Sequence, residues 1–389
     1  MSDSIVITAA RRTAIGAFQG QFAPVSSPEL GAAAIRAALG DSGIEGDDVS
    51  EVLMGCVLPA GTGQAPARQA SIGAGLPLSA GCTTLNKVCG SGMKAVMLGR
   101  DAILAGSANV VVAGGMESMT NAPYLVKRGL RMGHDKLIDH MFFDGLQNPY
   151  DGQMMGGFGE MCADKYAFSR EQQDSFSRTS VERANRAIAD GLFANEIAPV
   201  TVTSRKGDVE IATDEEPGRV NVDKIPNLRP AFAKDGTITA ASSSKISDGA
   251  AALVLMSADN ASQRGIQPLA RIVAHATHSQ EPEWFTTAPV GALKKALERA
   301  GWSADEVDLY EINEAFATVT MAAMHEHGLP HEKVNIHGGA CALGHPIGCS
   351  GARILVTLIH ALKTTGGKRG IAALCIGGGE ATAVAVELE

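Results

Sequence analysis

The chain has 389 residues, of which 45 are glycine and only 4% are aromatic, so its core must be built from small aliphatic side chains that pack closely. At about 150 residues per domain this length predicts two or three domains, and a content of 45% hydrophobic and 19% charged residues excludes a disordered chain. The net charge of −9 argues against a general nucleic-acid or membrane-surface binder.

The N-terminal residues contain no basic region followed by an apolar stretch, so we expect no secretory signal. The longest uncharged runs, such as 335–352, are interrupted by glycine, proline, histidine and asparagine, which argues against a membrane span. Seven cysteines, spread through a long chain, are typical of reduced thiols and not of a disulfide framework. These features together predict a cytoplasmic protein.

Two helix-turn-strand units recur along the chain in the same order. Residues 34–55 align without a gap with residues 292–313, and both segments predict a helix that stops at glycine, an acidic turn and a strand. A second unit, with a helix, a strand and a glycine run, occupies 91–115 and again 350–379. Because both units repeat at nearly the same spacing, a duplication explains them better than chance.

The repeat divides the chain into two α/β halves and an insertion. We predict an N-terminal half over 1–120, to which 251–267 returns, and a C-terminal half over 268–389. The segment 121–250 between them is richer in charge, turns and methionine. Long irregular segments of this kind are usually functional, so we predict a loop domain that faces a ligand.

Cys89 is the first candidate functional residue, in the segment Asn86-Lys-Val-Cys-Gly-Ser-Gly92 ahead of a predicted buried helix. A thiol at a helix N-terminus lies at the positive end of the helix dipole, which lowers its pKa and favours the thiolate. Glycines on both sides of Ser91 let a ligand approach the backbone closely. The alternative for an isolated cysteine is a small buried core residue.

Three further candidates lie in the second half, each beside glycines or at the end of a predicted strand. Asn313 and Glu314 end one strand, and a simple helix cap is the alternative for this pair. His345 lies between a glycine and a proline, ahead of a helix that we expect Ser350 to cap, and a structural histidine is the alternative. Cys375 lies at the end of the predicted strand 371–376 and before three glycines, where open α/β sheets place their ligands.

No metal or nucleotide motif accompanies these residues. The cysteines and histidines lack the spacing of zinc ligands, and His325 and His327 fit an ordinary exposed helix. No dinucleotide fingerprint follows the first strand, and no phosphate-binding loop of the GxxxxGK type is present. We therefore predict neither a metal nor an organic cofactor.

The motifs NKVCGSG, NEAF, GGACALGHPIGCSGAR and CIGGG closely resemble the four active-site loops of the thiolase family, in that family's order. The resemblance extends essentially from end to end. It implies a duplicated five-layer αβαβα fold, with the inserted loop domain covering the site for coenzyme A (CoA). It also implies CoA and acyl-CoA as substrates, a homodimer or homotetramer, and a cytoplasmic acyltransferase of fatty acid metabolism.

The resemblance further implies a reaction and a role for each candidate. The reaction is a reversible Claisen condensation of two acetyl-CoA to acetoacetyl-CoA and CoA. Cys89 would be the nucleophile that carries the acyl group, and Cys375 the acid/base at the α-carbon. His345 would activate Cys89 and stabilise the thioester oxyanion together with a water held by Asn313, and the backbone N–H groups of Cys89 and Gly377 would stabilise a second oxyanion.

Two further segments, RPAF at 229–232 and 236–253, resemble the CoA side of the family's site. By this resemblance, Ser244 is expected to contact the pantetheine of CoA and Met155 to line the acyl pocket. With Phe232 and Arg219 they complete the predicted CoA-binding residues. The candidates for the CoA phosphates are four basic residues of the insertion: Lys206, Arg219, Lys224 and Arg229.

Three departures from the biosynthetic members of the family leave the acyl chain length open. Met154 stands where those enzymes have histidine, Phe285 where a smaller residue shapes the pocket, and Glu380 where methionine is frequent. A degradative 3-ketoacyl-CoA thiolase of fatty-acid β-oxidation is therefore the alternative function. Cys375 argues against a decarboxylating ketoacyl synthase, and the presence of all four loops argues against a non-catalytic CoA-binding relative.

Overall fold

The structure is a computed structural model that describes residues 4–129, 131–205 and 207–389. Its strands are β1 (Ile5–Thr13), β2 (Gly16–Ala17), β3 (Glu51–Gly55), β4 (Gly81–Leu85), β5 (Val110–Ser118), β6 (Tyr124–Leu125), β7 (Ile138–Asp139), β8 (Ile197–Ala198), β9 (Val200–Ser204), β10 (Gly207–Ile211), β11 (Ser247–Ser257), β12 (Ala270–Ser279), β13 (Leu309–Ile312), β14 (Arg369–Ile376) and β15 (Glu380–Leu388). Its α-helices are α1 (Ser27–Ser42), α2 (Pro66–Ala74), α3 (Ser91–Leu104), α4 (Met155–Tyr166), α5 (Arg170–Ala189), α6 (Ala258–Gln263), α7 (Ala288–Ala300), α8 (Ala317–His327), α9 (Ala340–Leu343) and α10 (Ser350–Thr365).

The strand order of the main sheet is symmetrical about its centre, apart from one additional strand, β4, at one edge. Its order is β13-β14-β15-β12-β1-β11-β5-β3-β4, so β3, β5, β11 and β1 correspond to β13, β14, β15 and β12. The first two strands of each series are parallel and the later pairs are antiparallel. The two series meet where three residues of β1 pair with β12. This symmetry confirms the predicted duplication of the fold.

The repeat found in the sequence recurs in local geometry. Helices α1 and α7 both end at a glycine in the left-handed region, Gly43 with φ of 69° and Gly301 with φ of 70°. L-residues adopt this conformation only with strain, which explains why glycine stops both helices. Equivalent 3₁₀ turns, 46–48 and 304–306, then lead into β3 and β13.

Helices and strands form five layers. Helices α1 and α2 cover the outer face of the N-terminal strands, α7 covers the C-terminal strands, and α8 packs beside α7. Helices α3 and α10 lie in the middle, where they contact each other and strands of both halves. Aliphatic side chains fill the space between the layers, as the aromatic-poor composition requires. The αβαβα architecture expected from the family resemblance is confirmed, and no α-helix of the described part of the chain is long and apolar enough to cross a membrane.

The two central helices approach each other closely near their N-termini, and glycine makes this possible. A Cβ atom on Gly92 would lie 3.0 Å from the carbonyl oxygen of Cys349 and 2.9 Å from the nitrogen of Ala352. A Cβ on Gly351 would lie 2.5 Å from the nitrogen of Met93. Because side chains at these positions would force the helices apart, the glycines keep the loops before α3 and α10 adjacent.

A buried arginine attaches the inserted segment to β1. Arg12 is fully buried, and its guanidinium donates to Glu196 at 2.5 Å and to both oxygens of Asp214 at 2.7 and 2.9 Å. Both carboxylates belong to the insertion, whose short strand β8 also pairs with β1. The inserted segment is therefore fixed to the sheet by a desolvated ion cluster as well as by backbone pairing.

We expect Arg12→Met to lower the free energy of unfolding by about 3–5 kcal/mol, because it leaves two carboxylates buried without their counter-ion. The control is Arg264→Met, which breaks a more exposed pair with Asp48 outside the insertion and should lower the free energy of unfolding much less. Urea unfolding of both variants measures the difference. Equal losses in the two variants would show that the Arg12 cluster does not anchor the insertion.

Candidate active site

The four candidate residues lie on four separate segments, three of them loops and one the end of a strand. Cys89 lies between β4 and α3, Asn313 follows β13, His345 lies between α9 and α10, and Cys375 is the last residue but one of β14. The backbone N–H of Asn313 donates to the carbonyl of Ala373 at 3.0 Å, so Asn313 lies beside the end of β14. The close packing of α3 and α10 brings the other two loops together in the same region.

Cys89 lies on a tight turn with strained backbone. The preceding residue, Val88, has φ of 47°, which costs a β-branched residue free energy that its surroundings must offset. The Ser91 hydroxyl supports the turn, since it donates to the carbonyl of Val88 at 2.6 Å and accepts from the N–H of Lys87 at 2.8 Å. Such a turn presents the thiol of Cys89 in a fixed direction.

The thiol of Cys89 is protonated at neutral pH. Burial raises its pKa to about 11, and the charge of Glu117 adds to this, while hydrogen bonds from the N–H groups of Gly377 and Cys89 itself lower it. The predicted lowering of this pKa is therefore wrong, because desolvation outweighs the two donors. The same two N–H groups are nevertheless the pair that the sequence predicts for an oxyanion, and the structure brings both to the sulfur.

His345 is buried and its tautomer follows from its partner. Its Nδ1 lies 2.5 Å from Oγ of Ser350, whose hydroxyl donates to the carbonyl of Pro346 at 2.9 Å. The hydroxyl has only one hydrogen, so it accepts from Nδ1–H, and Nε2 carries the free lone pair. Nε2 has no hydrogen-bond partner within the described residues. Burial and the charge of Arg353 lower the pKa of His345 to about 3, which keeps the ring neutral.

Ser350 does not cap its helix, contrary to the sequence prediction. Helix α10 begins at Ser350 itself and Cys349 occupies the N-cap position without a side-chain cap. The Ser350 side chain turns instead toward the imidazole five residues earlier. A serine one position inside a helix N-terminus cannot be distinguished from a capping serine by its spacing alone.

Ser350→Ala is expected to slow transfer of an acyl group to the protein about tenfold, since a net hydrogen bond of about 1.4 kcal/mol fixes the Nε2 lone pair toward the site. Rapid-mixing measurement of CoA release from acetyl-CoA tests this. Ser350→Thr keeps the hydroxyl and should recover most of the rate. An unchanged rate in the alanine variant would contradict the assignment of the tautomer.

Cys375 and Asn313 contribute two further buried polar groups. Cys375 is fully buried, and burial raises the pKa of its thiol well above the usual value; the charge of a Cys89 thiolate would raise it further, so the two sulfurs are near each other. Asn313 is 1% exposed, and neither atom of its amide has a hydrogen-bond partner among the described residues. Because buried amides are normally paired, this one is oriented to serve a ligand or water.

Two buried glutamates, Glu314 and Glu117, hold the loops in place. The sequence analysis identified the first as a candidate but not the second. Glu314 accepts from the Ser180 hydroxyl at 2.7 Å, the Asn335 amide at 2.9 Å and the N–H of Cys341 at 3.0 Å, so the second member of the Asn-Glu pair is structural. Sequence reasoning missed Glu117, which accepts from the N–H of Gly348 at 2.8 Å. A single carboxylate near the end of the apolar strand β5 was the signal for it.

Glu117 connects the His345 loop to the loop after β3. Besides Gly348, it accepts from the N–H groups of Val57 at 3.0 Å and Leu58 at 3.1 Å. Burial raises the pKa of this carboxyl to about 7, although the three N–H donors oppose the shift. Glu117 is therefore a structural acceptor placed directly behind the site.

A cavity of about 190 Å³ opens beside His345. Three of the four predicted CoA-binding residues line it, namely Met155, Phe232 and Ser244. The fourth, Arg219, is not among its lining residues; it lies on a short turn and pairs with Glu215 at 3.3 Å. Lys206, another predicted phosphate contact, lies outside the described residues.

The site itself offers thiols, an imidazole and an amide, and not a ligand set for a metal. Within 4–129, 131–205 and 207–389, no group of three or more His, Cys, Asp or Glu side chains is arranged to hold a metal ion. His327, on the exposed pair noted in the sequence, contacts the carbonyl of Val290 at 3.0 Å. That the reaction needs no cofactor stays a prediction.

Comparison with known proteins identifies the family. The family described as "Thiolase, N-terminal domain" matches residues 5–259, and "Thiolase, C-terminal domain" matches residues 266–388. The chain therefore belongs to the thiolase family, as its motifs predict.

Full-length relatives and solved structures agree with this assignment. An acetyl-CoA acetyltransferase of Chromobacterium violaceum is 50% identical over 98% of this chain and 99% of its own length. An acetyl-CoA acetyltransferase of Cupriavidus necator is 49% identical, with all of both chains covered. The crystal structure of the Bacillus anthracis acetyl-CoA acetyltransferase superposes with a TM-score of 0.96 at 40% identity, over 99% of both chains. The Acat5 thiolase from Ascaris suum, solved in complex with coenzyme A, has a TM-score of 0.95 at 42% identity, over 99% of this chain and 100% of its own.

Proposed function

We propose that this chain is an acetyl-CoA C-acetyltransferase that interconverts two acetyl-CoA with acetoacetyl-CoA and CoA through an acetyl-Cys89 intermediate. One observation carries the proposal: the Cys89 thiol is faced by two N–H donors, and the neighbouring segments supply a second thiol, an imidazole with a free Nε2 and an amide that has no hydrogen-bond partner among the described residues. The names of the full-length relatives point to the same reaction.

In the first step the Cys89 sulfur attacks the thioester carbonyl of acetyl-CoA. His345 takes the thiol proton on Nε2 and returns it to the sulfur of the departing CoA, so CoA leaves as the free thiol. Because the pKa values of Cys89 and His345 are about 11 and about 3, no ion pair exists before substrate binds, and the proton moves as the new C–S bond forms. The developing oxyanion lies near Nε2 of His345 or the two backbone N–H groups.

In the second step Cys375 acts as a thiolate: its thiol proton passes first to Nε2 of His345, because burial otherwise keeps this thiol protonated. The thiolate removes a proton from the methyl carbon of another acetyl-CoA, and Nε2 returns its proton to Cys375 at the end of the step. The carbanion attacks the acetyl carbonyl on Cys89, the C–S bond to Cys89 breaks, and the proton taken by Cys375 returns to the Cys89 sulfur. Atoms balance without an added oxidant or reductant. A single well-placed hydrogen-bond donor stabilises such an enolate by about 3–4 kcal/mol. We assign this role to a water held by Asn313, together with His345.

The pantetheine of CoA is proposed to run through the cavity beside His345. Ser244 offers a hydroxyl there, and Met155 and Phe232 offer apolar walls. For the phosphates, Arg219, Lys224 and Arg229 of the insertion remain candidates. Arg219 is more than half exposed despite its pairing with Glu215, so a phosphate could compete for it.

The proposed substrate is short because large side chains fill the space around Cys375. Phe285 is 3% exposed and packs edge-to-face on Phe158, with ring centroids 6.2 Å apart. Both belong to one apolar cluster with Phe316 and Cys375. A long acyl chain would have to displace these rings, which argues for acetyl transfer over the degradative alternative.

Two measurements test the proposal. Mixing the protein with acetyl-CoA should release CoA and leave one acetyl group on the peptide that contains Cys89, as read by mass spectrometry. Thiolysis rates across a series of 3-ketoacyl-CoA lengths should be highest for acetoacetyl-CoA. No acetylation would overturn the assigned chemistry, whereas faster thiolysis of longer chains would favour the degradative function in fatty-acid β-oxidation.

The assembly and location are proposed on separate grounds. The edge strand β4 pairs with β3 on one side, which leaves its other edge for a second copy of the chain. Light scattering should therefore give a homodimer or homotetramer. Seven free cysteines support a reducing, cytoplasmic location.

A further inference from the structure

Two loops carry the proposed nucleophile and its N–H donor, and one ion pair joins them. Lys87, two residues before Cys89, contacts Glu380 through Nζ and Oε2. Glu380 begins β15, directly after the glycine turn 377–379 whose first residue donates to the Cys89 sulfur. The pair thus bridges the segment that holds the thiol and the segment that holds its donor.

Both loops contain backbone conformations that depend on contacts with neighbouring residues. Val88, between Lys87 and Cys89, has φ of 47°. In the turn between β14 and β15, Gly378 and Gly379 have φ of 94° and 89°. Strained or glycine-rich segments keep one conformation only when neighbouring contacts fix them. A displacement of either loop by about 1 Å would break the hydrogen bond from Gly377 to the sulfur.

The contacts around this turn form a three-point attachment. At the start of the turn, Ile376 packs so closely against Gly90 that a Cβ at residue 90 would clash with it. At its end, Glu380 pairs with Ile376 across the hairpin and takes Lys87 on one carboxylate oxygen. The other oxygen accepts from the Ser279 hydroxyl at 3.0 Å, which ties the carboxylate to the end of β12.

We infer that Lys87 and Glu380 are a positioning pair that holds the Gly377 N–H on the Cys89 sulfur. This inference rests on the proposed function, because it concerns the donor to the acyl-carrying thiol. Neither side chain is among the residues that line the cavity beside His345. Both act through the loops that they join.

The charges are suited to this role. The side chains are 20% and 33% exposed, so water screens them only partly. Partial burial raises the pKa of Glu380, but the hydrogen bonds from Lys87 and Ser279 and the Lys87 charge lower it overall, which keeps the carboxylate ionised at neutral pH. An ion pair that is this exposed has a modest effect, and we expect its loss to change an equilibrium or rate constant by up to about fivefold.

The test is a double-mutant cycle on the full chain with Lys87→Met, Glu380→Met and the double variant. Each single substitution should slow acetylation of Cys89 by acetyl-CoA about fivefold with KM for acetyl-CoA little changed, and the double variant should be no slower than either single one. Alkylation of Cys89 by iodoacetamide, located by peptide mass spectrometry, should shift to higher pH in all three, because the sulfur loses its donor. A purely structural pair would change the unfolding temperature and not this pH profile.

Two further variants make the result decisive. Arg264→Met breaks the Arg264–Asp48 pair, whose side chains are 36% and 31% exposed, and should lower stability without slowing acetylation. Glu380→Gln keeps the shape of the side chain and should slow acetylation as Glu380→Met does, which covers the case in which the methionine variant folds poorly. Wild-type acetylation rates in the single variants, or effects that multiply in the double variant, would overturn the positioning role. Absence of acetylation in the wild-type protein would instead overturn the proposed function, and the inference with it.

Discussion

Cys89→Ala should abolish acetylation of the protein by acetyl-CoA, with a loss of at least about 10⁴-fold in the rate of CoA release. No second group can replace it: the Cys375 thiol is fully buried, whereas Cys89 retains some exposure. The two N–H groups at the sulfur would remain, but without a nucleophile they polarise a carbonyl that nothing attacks. Intact-protein mass spectrometry after mixing with acetyl-CoA measures the outcome directly.

The matched control is Cys82→Ala. Cys82 is also a partly exposed free cysteine, but it lies in β4 near Arg68 and away from the four segments of the site. This variant should be acetylated at the wild-type rate. If Cys89→Ala still acquired an acetyl group, the nucleophile would lie elsewhere and the proposed first step would be wrong.

The pKa values add a pH prediction to this variant pair. A thiol with a pKa of about 11 is neutral at pH 7, so the difference in ultraviolet thiolate absorbance between wild type and Cys89→Ala should be negligible there and should grow as pH approaches 11. Because His345 has a pKa of about 3, its ring stays neutral and able to accept a proton over the whole range. A thiolate signal from Cys89 at neutral pH would contradict the neutral resting pair.

The sequence predicted the architecture and the membership of the site better than its electrostatics. Periodic helix and strand patterns are local, and glycines at helix ends report backbone conformation directly, so α1, β3, α7 and β13 could be placed from the repeat alone. The reactive residues could be found because each lies beside glycines or at the end of a predicted strand. The direction of the Cys89 pKa shift could not be found, since it depends on how much protein surrounds the sulfur.

Residues that act through tertiary contacts were missed or misassigned for the same reason. Glu117 lies in an apolar strand, and nothing near it in sequence indicates three backbone donors from two distant loops. Ser350 fitted a cap by spacing but bonds to His345. The prediction that Arg219 binds CoA stays a prediction, but its pairing with Glu215 depends on a turn that the sequence does not specify.

Cys375→Ala should separate the two half-reactions. Acetylation of Cys89 should proceed close to the wild-type rate, because the nucleophile, its N–H donors and His345 are unchanged. Condensation to acetoacetyl-CoA should fall by about 10²–10⁴-fold, which is the usual contribution of a general base. Cys162→Ala is the control for loss of a buried thiol, since Cys162 is equally buried but its sulfur contacts the carbonyl of Thr318.

Proton exchange distinguishes a lost base from a misplaced substrate. In heavy water, the wild-type protein should exchange the methyl protons of acetyl-CoA for deuterium, and Cys375→Ala should acetylate Cys89 without this exchange, as followed by nuclear magnetic resonance. The alanine leaves a small apolar space beside Phe285 and Phe316, which cannot accept a proton. Exchange or condensation at the wild-type rate in Cys375→Ala would assign the base to another residue, with Nε2 of His345, which has a free lone pair, as the next candidate.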